Sequence, residues 1–250
     1  MDALYAAAYP RLYADHWWWR AREDMLLRKI RRLLSNVPNA RMLDVGCGAA
    51  MFFDALEPFG HVEGVESDRA AAERSGRWRG RIVVGDLDET YTPTAPFDLI
   101  LMLDILEHIT HPERVLARAR QILRPNGRVL ITVPAFTWLW TSHDEMNHHV
   151  TRYSTGELSD IVTGSGLVAL ETGYLFQSLV LPKLLVRVKE SLFRDRPRLP
   201  TIPPPAINSL IQAWCRLEHR VAGRLPFGGS AFAVVARADA TPGFASLSKG

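Results

Sequence analysis

Cysteine is nearly absent: Cys47 and Cys215 are the only two in 250 residues. One sits in a glycine turn and the other in a helical pattern, so no disulfide framework is expected and a reducing compartment fits. Long apolar runs are missing as well. The richest later stretch, Leu179 to Val188, is broken by Pro182, Lys183 and Arg187, far short of the ~20 residues that span a bilayer. Met1 to Tyr13 lacks a basic start followed by an apolar run. No export signal is therefore expected there, and the location read from the sequence is cytoplasmic. Nor does one sign of charge dominate. A formal charge of +3 fits an anionic small molecule, a membrane surface or RNA and selects none of them. Arginines gather in the first helix (Arg20, Arg22, Arg28, Arg31, Arg32) and from Arg187 to Arg198, read as a solvated helix face and a basic loop.

What is there is the composition of a globular protein, 47% hydrophobic and 23% charged. This length suits one large domain with an elaboration. Short apolar runs bounded by Gly, Asp or Pro recur at Met42 to Val45, Val62 to Val65, Ile82 to Val84, Leu99 to Leu103 and Val129 to Val133. Apolar on successive residues, they predict strands covered on both faces. Helical patterns alternate with them at Asp24 to Leu34, Ala50 to Leu56 and Pro112 to Leu123, the last stopping at Arg124-Pro125-Asn126-Gly127. Right-handed crossovers of this kind predict a doubly wound α/β fold with a mostly parallel sheet.

After Pro134 the texture changes. Ala135 to Tyr153 is rich in aromatics and histidine and reads as a long functional loop. A short helix opens at Thr155, and Leu167 to Tyr174 and Ala231 to Ala236 read as the last strands. Between these strands lie Leu179 to Leu192, a proline-rich linker from Pro197 to Pro205, and a helix from about Ala206 to Leu225. That helix places Ile207, Leu210, Ile211, Trp214, Leu217 and Val221 on one stripe. The expected division of a single domain is a helical lid at 1–39, a ligand-binding core at 40–174, a helical insertion at 175–229, a last strand at 230–238 and a disordered tail at 239–250.

Ligands of a parallel sheet bind at the carboxyl ends of its strands, where strand order reverses. The first strand runs into Asp44-Val45-Gly46-Cys47-Gly48-Ala49-Ala50. Gly46 and Gly48 allow a sharp turn and a close approach to ligand, and the next helix is expected to aim its first amides there. A nicotinamide site requires G-x-G-x-x-G or A, and Met51 occupies that last place. Asp44 opposes a pyrophosphate but suits a cationic ligand carrying an amino group and a sulfonium. Glu66 closes the second strand, about 20 residues on, where it can accept both ribose hydroxyls. Asp86 closes the third, placed to accept from an adenine amino group with Leu87 against the ring. Three acids in this order point to S-adenosylmethionine (SAM).

On the segments LDVGCG, GVESD, VVGDL, FDLILMLDILEHI and LRPNGRVLITVP, the chain resembles the class I SAM-dependent methyltransferases over roughly residues 40 to 135, and more loosely to 237. The resemblance implies a Rossmann-like seven-stranded sheet whose last two strands form an antiparallel hairpin, split here by the insertion. It implies a cofactor site of Asp44, Gly46, Cys47 and Gly48 at the methionine part, Glu66 and Ser67 at ribose, and Asp86 and Leu87 at adenine, with Leu103 beside them. Ala50 departs from the glycine often found at the third small position. The segment His16-Trp17-Trp18-Trp19-Arg20-Ala21-Arg22 resembles the aromatic-Trp-x-x-x-Arg start of many such enzymes. In them the first helix lids the cofactor, which implies Arg22 for the SAM carboxylate. Read alone, the segment equally allows packed tryptophans and a solvated Arg22.

Methyl transfer requires an aligned nucleophile and exclusion of water, and for a hydroxyl acceptor a group that takes its proton, most often histidine. Asp104-Ile105-Leu106-Glu107-His108 follows the fourth strand and resembles the metal-binding signature of ubiquinone-pathway O-methyltransferases and small-RNA 2′-O-methyltransferases. That implies a divalent metal such as Mg²⁺ on Asp104, Glu107 and His108; a helix cap is the plain alternative. Ser142-His143-Asp144 to His149-Val150-Thr151-Arg152-Tyr153 resembles the D-x4-H-x-x-R-Y pattern of bacterial small-molecule methyltransferases. His143, His149 and His108 are the candidate catalytic residues, and Arg152, Tyr153 and Trp140 the candidate substrate contacts. A hydrogen-bonded staple of Asp144, Arg152 and Tyr153 is the alternative. The expected partner is a small-molecule or lipid-like acceptor in a biosynthetic pathway, O-methylated, with peripheral membrane contact through 179–194. RNA is disfavoured, because no basic strip with interleaved aromatics follows the first helix. A non-catalytic SAM-binding module remains compatible with the fold, and oligomeric state is left open.

Overall fold

A computed structural model describes residues 3–193, 200–221 and 225–239. Helices α1 (Ala3–Asp15) and α2 (Trp17–Leu33) lead into β1 (Ala40–Val45). Short α3 (Phe53–Leu56) precedes β2 (Gly60–Glu66), and α4 (Arg69–Glu73) precedes β3 (Ile82–Val84). Then come β4 (Phe97–Leu103), α5 (Pro112–Ile122), β5 (Leu123–Pro134), α6 (Ser142–Met146), α7 (Thr155–Gly164) and β6 (Leu167–Leu175). The insertion supplies α8 (Val180–Phe193) and α9 (Pro205–Val221) ahead of β7 (Ser230–Arg237).

The strands form one sheet in the order β3-β2-β1-β4-β5-β7-β6. β1 lies parallel to both β2 and β4, so strand order reverses beside it. β7 runs antiparallel between β5 and β6. This is the expected Rossmann-like, doubly wound fold with its antiparallel final pair interrupted by helices.

Strand side chains alternate between faces, and β4 shows what that achieves. Ile100 and Met102 join one core with Leu116 and Ala119 of α5 and Leu158 and Val162 of α7. Leu99 and Leu101 join the other with Leu26 and Ile30 of α2 and Phe53 and Leu56 of α3. Phe97 falls on the first face because the β4–β5 register shifts between Phe97 and Leu99. Each such aliphatic side chain removed from water contributes ~1.5–3 kcal/mol, so both layers hold the strand ends in place.

Four expectations change. The helix after the glycine turn starts only at Phe53, because Gly46, Gly48 and Ala50 all take left-handed φ (68°, 55°, 55°) and keep the chain turning. The ligand therefore faces a backbone turn rather than a helix terminus. The segment 124–127, read as a turn, is part of β5. Helix α2 begins at Trp17, where the His16 side chain accepts from the Trp18 amide and caps it. On α9 the predicted stripe is turned outward: Ile207, Leu210, Trp214 and Leu217 are exposed, while Cys215 and Glu218 are buried. Cys47 and Cys215 are both free thiols. Among the described residues no helix is long and apolar enough to cross a membrane. The tail at 240–250 and the arginines at 194, 196 and 198 lie outside the described residues.

Candidate active site

A cavity of about 1890 Å³ opens at the carboxyl ends of β1 to β5. Single ligands of drug size occupy ~300–1,000 Å³, so there is room for a nucleoside-sized molecule and a second one. One end is built from strand termini, the other from the loop after β5 and from α8.

At the strand end, a Cβ on Gly46 would meet Ile105 Cδ1 at 2.0 Å, whereas at Gly48 nothing lies within 4 Å. Both glycines turn at left-handed φ (68° and 55°); a Cβ on Gly46 would also displace the Ile105 side chain, and Gly48 opens onto the cavity. Glu66 is buried, and its carboxylate is fixed by two backbone amides, Gly48 N to Oε2 and Asp68 N to Oε1, each at 2.7 Å. Each oxygen retains a further lone pair for a hydroxyl. Asp44 is buried too. Burial pushes its carboxyl up to about 7, Glu66 adding to the rise and Arg22 opposing it. Such a group becomes a full carboxylate when a cation arrives beside it. Cys47, Ser67, Asp86, Leu87 and Leu103 all line the cavity, Leu87 buried and Asp86 and Ser67 exposed.

Arg22 reaches the cavity from α2, but its nearest acid is Asp104. Nη2 lies 2.8 Å from Asp104 Oδ2 and donates to Thr132 Oγ1 at 3.2 Å. Thr132 in turn donates to Asp104 Oδ1 at 3.0 Å. Asp104 has left-handed φ (59°) at the exit of β4. Tyr9 and Tyr13 of α1 and Trp17 and Trp18 of α2 close this side.

At the other end Asp144 is fully buried on the one-turn helix α6. It accepts from Arg152 Nε and Nη2, each at 2.8 Å, and from the Thr141 amide at 2.8 Å, and lies 2.8 Å from His149 Nδ1. Burial alone would raise this carboxyl; the hydrogen bonds from His149 and Arg152 outweigh it and hold the group well below the usual range. An acceptor-only carboxylate fixes the proton on His149 Nδ1, so Nε2 is the basic nitrogen of an imidazole that lines the cavity. The His108 ring stands edge-on to it, centroids 4.7 Å apart. Burial, then His149, brings His108 down to about 4, and burial does the same for His143. Both are neutral at pH 7.

Glu107 is 1% exposed, and neither carboxylate oxygen has a hydrogen-bond partner. Burial, then Asp104, raises its pKa well above the carboxylate range. A buried orphan of this kind costs ~1–3 kcal/mol or more and marks a place for a donor or a cation. One ligand atom each from Glu107, His108 and His149 lies within 4.8 Å of the others. Among the described residues the group that could hold a cation is thus Glu107, His108 and His149, while Asp104, expected beside Glu107 and His108, pairs with Arg22.

Of the three expected substrate contacts, Arg152 lines the cavity, whereas Tyr153 and Trp140 do not. Arg152 spends its guanidinium on Asp144 and on the Ala135 carbonyl. Tyr153 is buried, its hydroxyl donating to Leu106 O at 3.1 Å, and Trp140 lies outside the cavity wall, its amide closing a turn onto Thr137. Of the staple read as the alternative, the Asp144–Arg152 pair is present, Tyr153 lies outside it, and His149 joins Asp144 instead. Sequence reading missed Lys183, which enters the cavity from α8 and donates to Gly229 O at 3.3 Å. Burial, then Arg152, lowers it to about 8. Its signal was helical spacing: Pro182, Lys183 and Val186 form the cavity face of α8, with Leu179 just before them.

Residues 18–172 match the family model described as "Methyltransferase domain". An uncharacterized 37.1 kDa protein of transposon TN4556 from Streptomyces fradiae is 26% identical over 82% of this chain and 64% of its own length. The ubiquinone biosynthesis O-methyltransferase of Nitrosococcus oceani is 30% identical over 48% of this chain and 57% of its own. The chain thus spans less than two-thirds of the length of these curated relatives. Among solved structures, a SAM-dependent methyltransferase from Thermotoga maritima superposes with a TM-score of 0.57 at 18% identity, covering 92% of this chain and 95% of that one. That likeness is one of fold.

Proposed function

The chain belongs to the methyltransferase family, and from that premise we propose that it O-methylates a small-molecule or lipid-like acceptor in a biosynthetic pathway. The observation that carries this reading is His149, pinned through Nδ1 to a buried, doubly clamped Asp144 at the cavity end opposite the glycine turn. SAM is the family's cofactor and supplies an electrophilic methyl group on a sulfonium. Asp44 offers its carboxylate to the cationic amino acid part, Glu66 accepts the ribose hydroxyls, and Leu87 packs against the base. The tryptophans of α2 exclude water from this end. His149 Nε2 accepts the acceptor's hydroxyl proton as the oxygen attacks, and Asp144 stabilises the imidazolium that results. Arg152 keeps Asp144 ionised for that task.

The orphaned oxygens of Glu107 favour a second reading, a divalent cation such as Mg²⁺ on Glu107, His108 and His149; with Nδ1 held by Asp144 the cation would take His149 Nε2, so in this reading His149 is a ligand and not the base. When bound it would polarise an acceptor hydroxyl. Incubation with methyl-labelled SAM and a panel of phenols, catechols, hydroxylated lipids and amines tests the main reading. Label is expected in an ether-forming acceptor; transfer only to amines would overturn O-methylation. Chelation lowers turnover if the cation takes part, and unchanged turnover after chelation removes it.

A further inference from the structure

Helix α8 is amphipathic in an unusual sense. Its inner side lines the cavity with Pro182, Lys183 and Val186. Its outer side carries Leu181, Leu184, Leu185, Val188 and Leu192, spaced i, i+3, i+4, i+7 and i+11, and all are exposed. Leu181 is 63% exposed and Leu192 71%. A solvent-facing helix normally turns its polar residues outward. On α9 the same inversion occurs, Leu210 being 71% and Trp214 55% exposed.

The turn that leads into α8 meets α9 at Ser178. Its hydroxyl accepts from Trp214 Nε1 at 3.1 Å, and its amide donates to Glu218. This turn ties the start of α8 to α9. Charge on these helices is sorted as sharply as apolarity. Glu190 is turned in to accept from the Ser142 amide at 3.0 Å and hydroxyl at 2.6 Å, and Glu218 is buried against Ser178. Lys189 is exposed beside the apolar residues, and Arg187 donates to the Trp138 and Thr137 carbonyls. Leucines with a tryptophan, basic residues at the margin and acids withdrawn are the features of a helix lying in an anionic lipid interface.

We propose that the outer faces of α8 and α9 dock on an anionic bilayer, so that α8 has lipid on one side and the cavity on the other. A second copy of the chain is the poorer occupant, because a two-fold contact would bring Arg187 and Lys189 of each copy toward a surface of the same sign. Docking stands apart from the acceptor assignment, since vesicle binding requires neither SAM nor turnover.

Co-sedimentation with phosphatidylcholine vesicles, with and without phosphatidylglycerol, tests it. The full chain is expected to pellet with the phosphatidylglycerol vesicles and to be released by salt. Leu185→Glu with Leu192→Glu should weaken binding by about tenfold or more. Both positions are exposed, so circular dichroism should be unchanged; Lys189→Glu is the variant that alters no apolar contact and should weaken binding less. A chain that stays in the supernatant with both vesicles, binding that survives the double variant, or a stable dimer by light scattering that the double variant dissolves would each overturn the proposal.

Discussion

The two ends of the cavity use buried carboxylates in opposite ways. Asp144 is saturated: Arg152 grips both oxygens, His149 and the Thr141 amide take the rest, and the group stays ionised far below pH 7. Asp44 has only the more distant pull of Arg22, and burial lifts it to about 7. A saturated acid can hold a neighbouring imidazole in one orientation, as a base requires. An under-compensated acid can receive a cation that comes and goes. The same side chain is thus a fixture at the acceptor end and a receptor at the cofactor end.

The sharpest break in this contrast comes from the acceptor end. His149→Ala should lower kcat by about 10²–10⁴-fold while SAM affinity measured by calorimetry stays unchanged; loss of both together would make His149 part of the scaffold instead. Asp144→Asn removes the charge but keeps the shape. It should cost about 10–100-fold in kcat with SAM affinity unchanged, because the imidazole loses the anion that orients it and stabilises the imidazolium formed in the reaction.

At the cofactor end the effect is smaller and appears as proton linkage. In the free protein Asp44 is protonated below about pH 7, and a bound cation favours the ionised form. SAM affinity should therefore rise with pH up to about 7 and flatten above it, weakening by up to about tenfold per pH unit on the acid side. Asp44→Asn should abolish that slope, and a slope that persists in the variant assigns the proton elsewhere. The smallest effect concerns Ala50. A non-glycine residue at left-handed φ costs ~1–2 kcal/mol, partly offset by the unfolded-state entropy that glycine adds. Urea denaturation of Ala50→Gly should show a gain of about 0.5–1 kcal/mol, with SAM affinity within about twofold.

Legibility in the sequence divides along the same line. Gly46, Glu66 and Asp86 were readable because each follows an apolar run, and the end of a strand in a parallel sheet is already a place in space. The sheet itself was readable for the same reason, apolar runs such as Leu99 to Leu103 having few alternative homes. The loop after β5 gave the residue types but not their partners. Whether Arg152 met Asp144 or an acceptor depended on the path from α6 to Tyr153, which no periodicity encodes. On α9 the stripe was found and its direction missed, since the pattern names a face but not what the face meets. Lys183 hid inside an apolar run because only the docking of α8 turns it toward the cavity.

The most direct measurement is calorimetric titration of SAM into the purified chain at pH 8, where Asp44 is ionised. One SAM per chain is predicted, displaced by S-adenosylhomocysteine. Absence of binding at millimolar SAM would contradict the assignment of the glycine turn, Asp44 and Glu66 as a cofactor site, and with it the reading of the cavity as a methyltransferase active site.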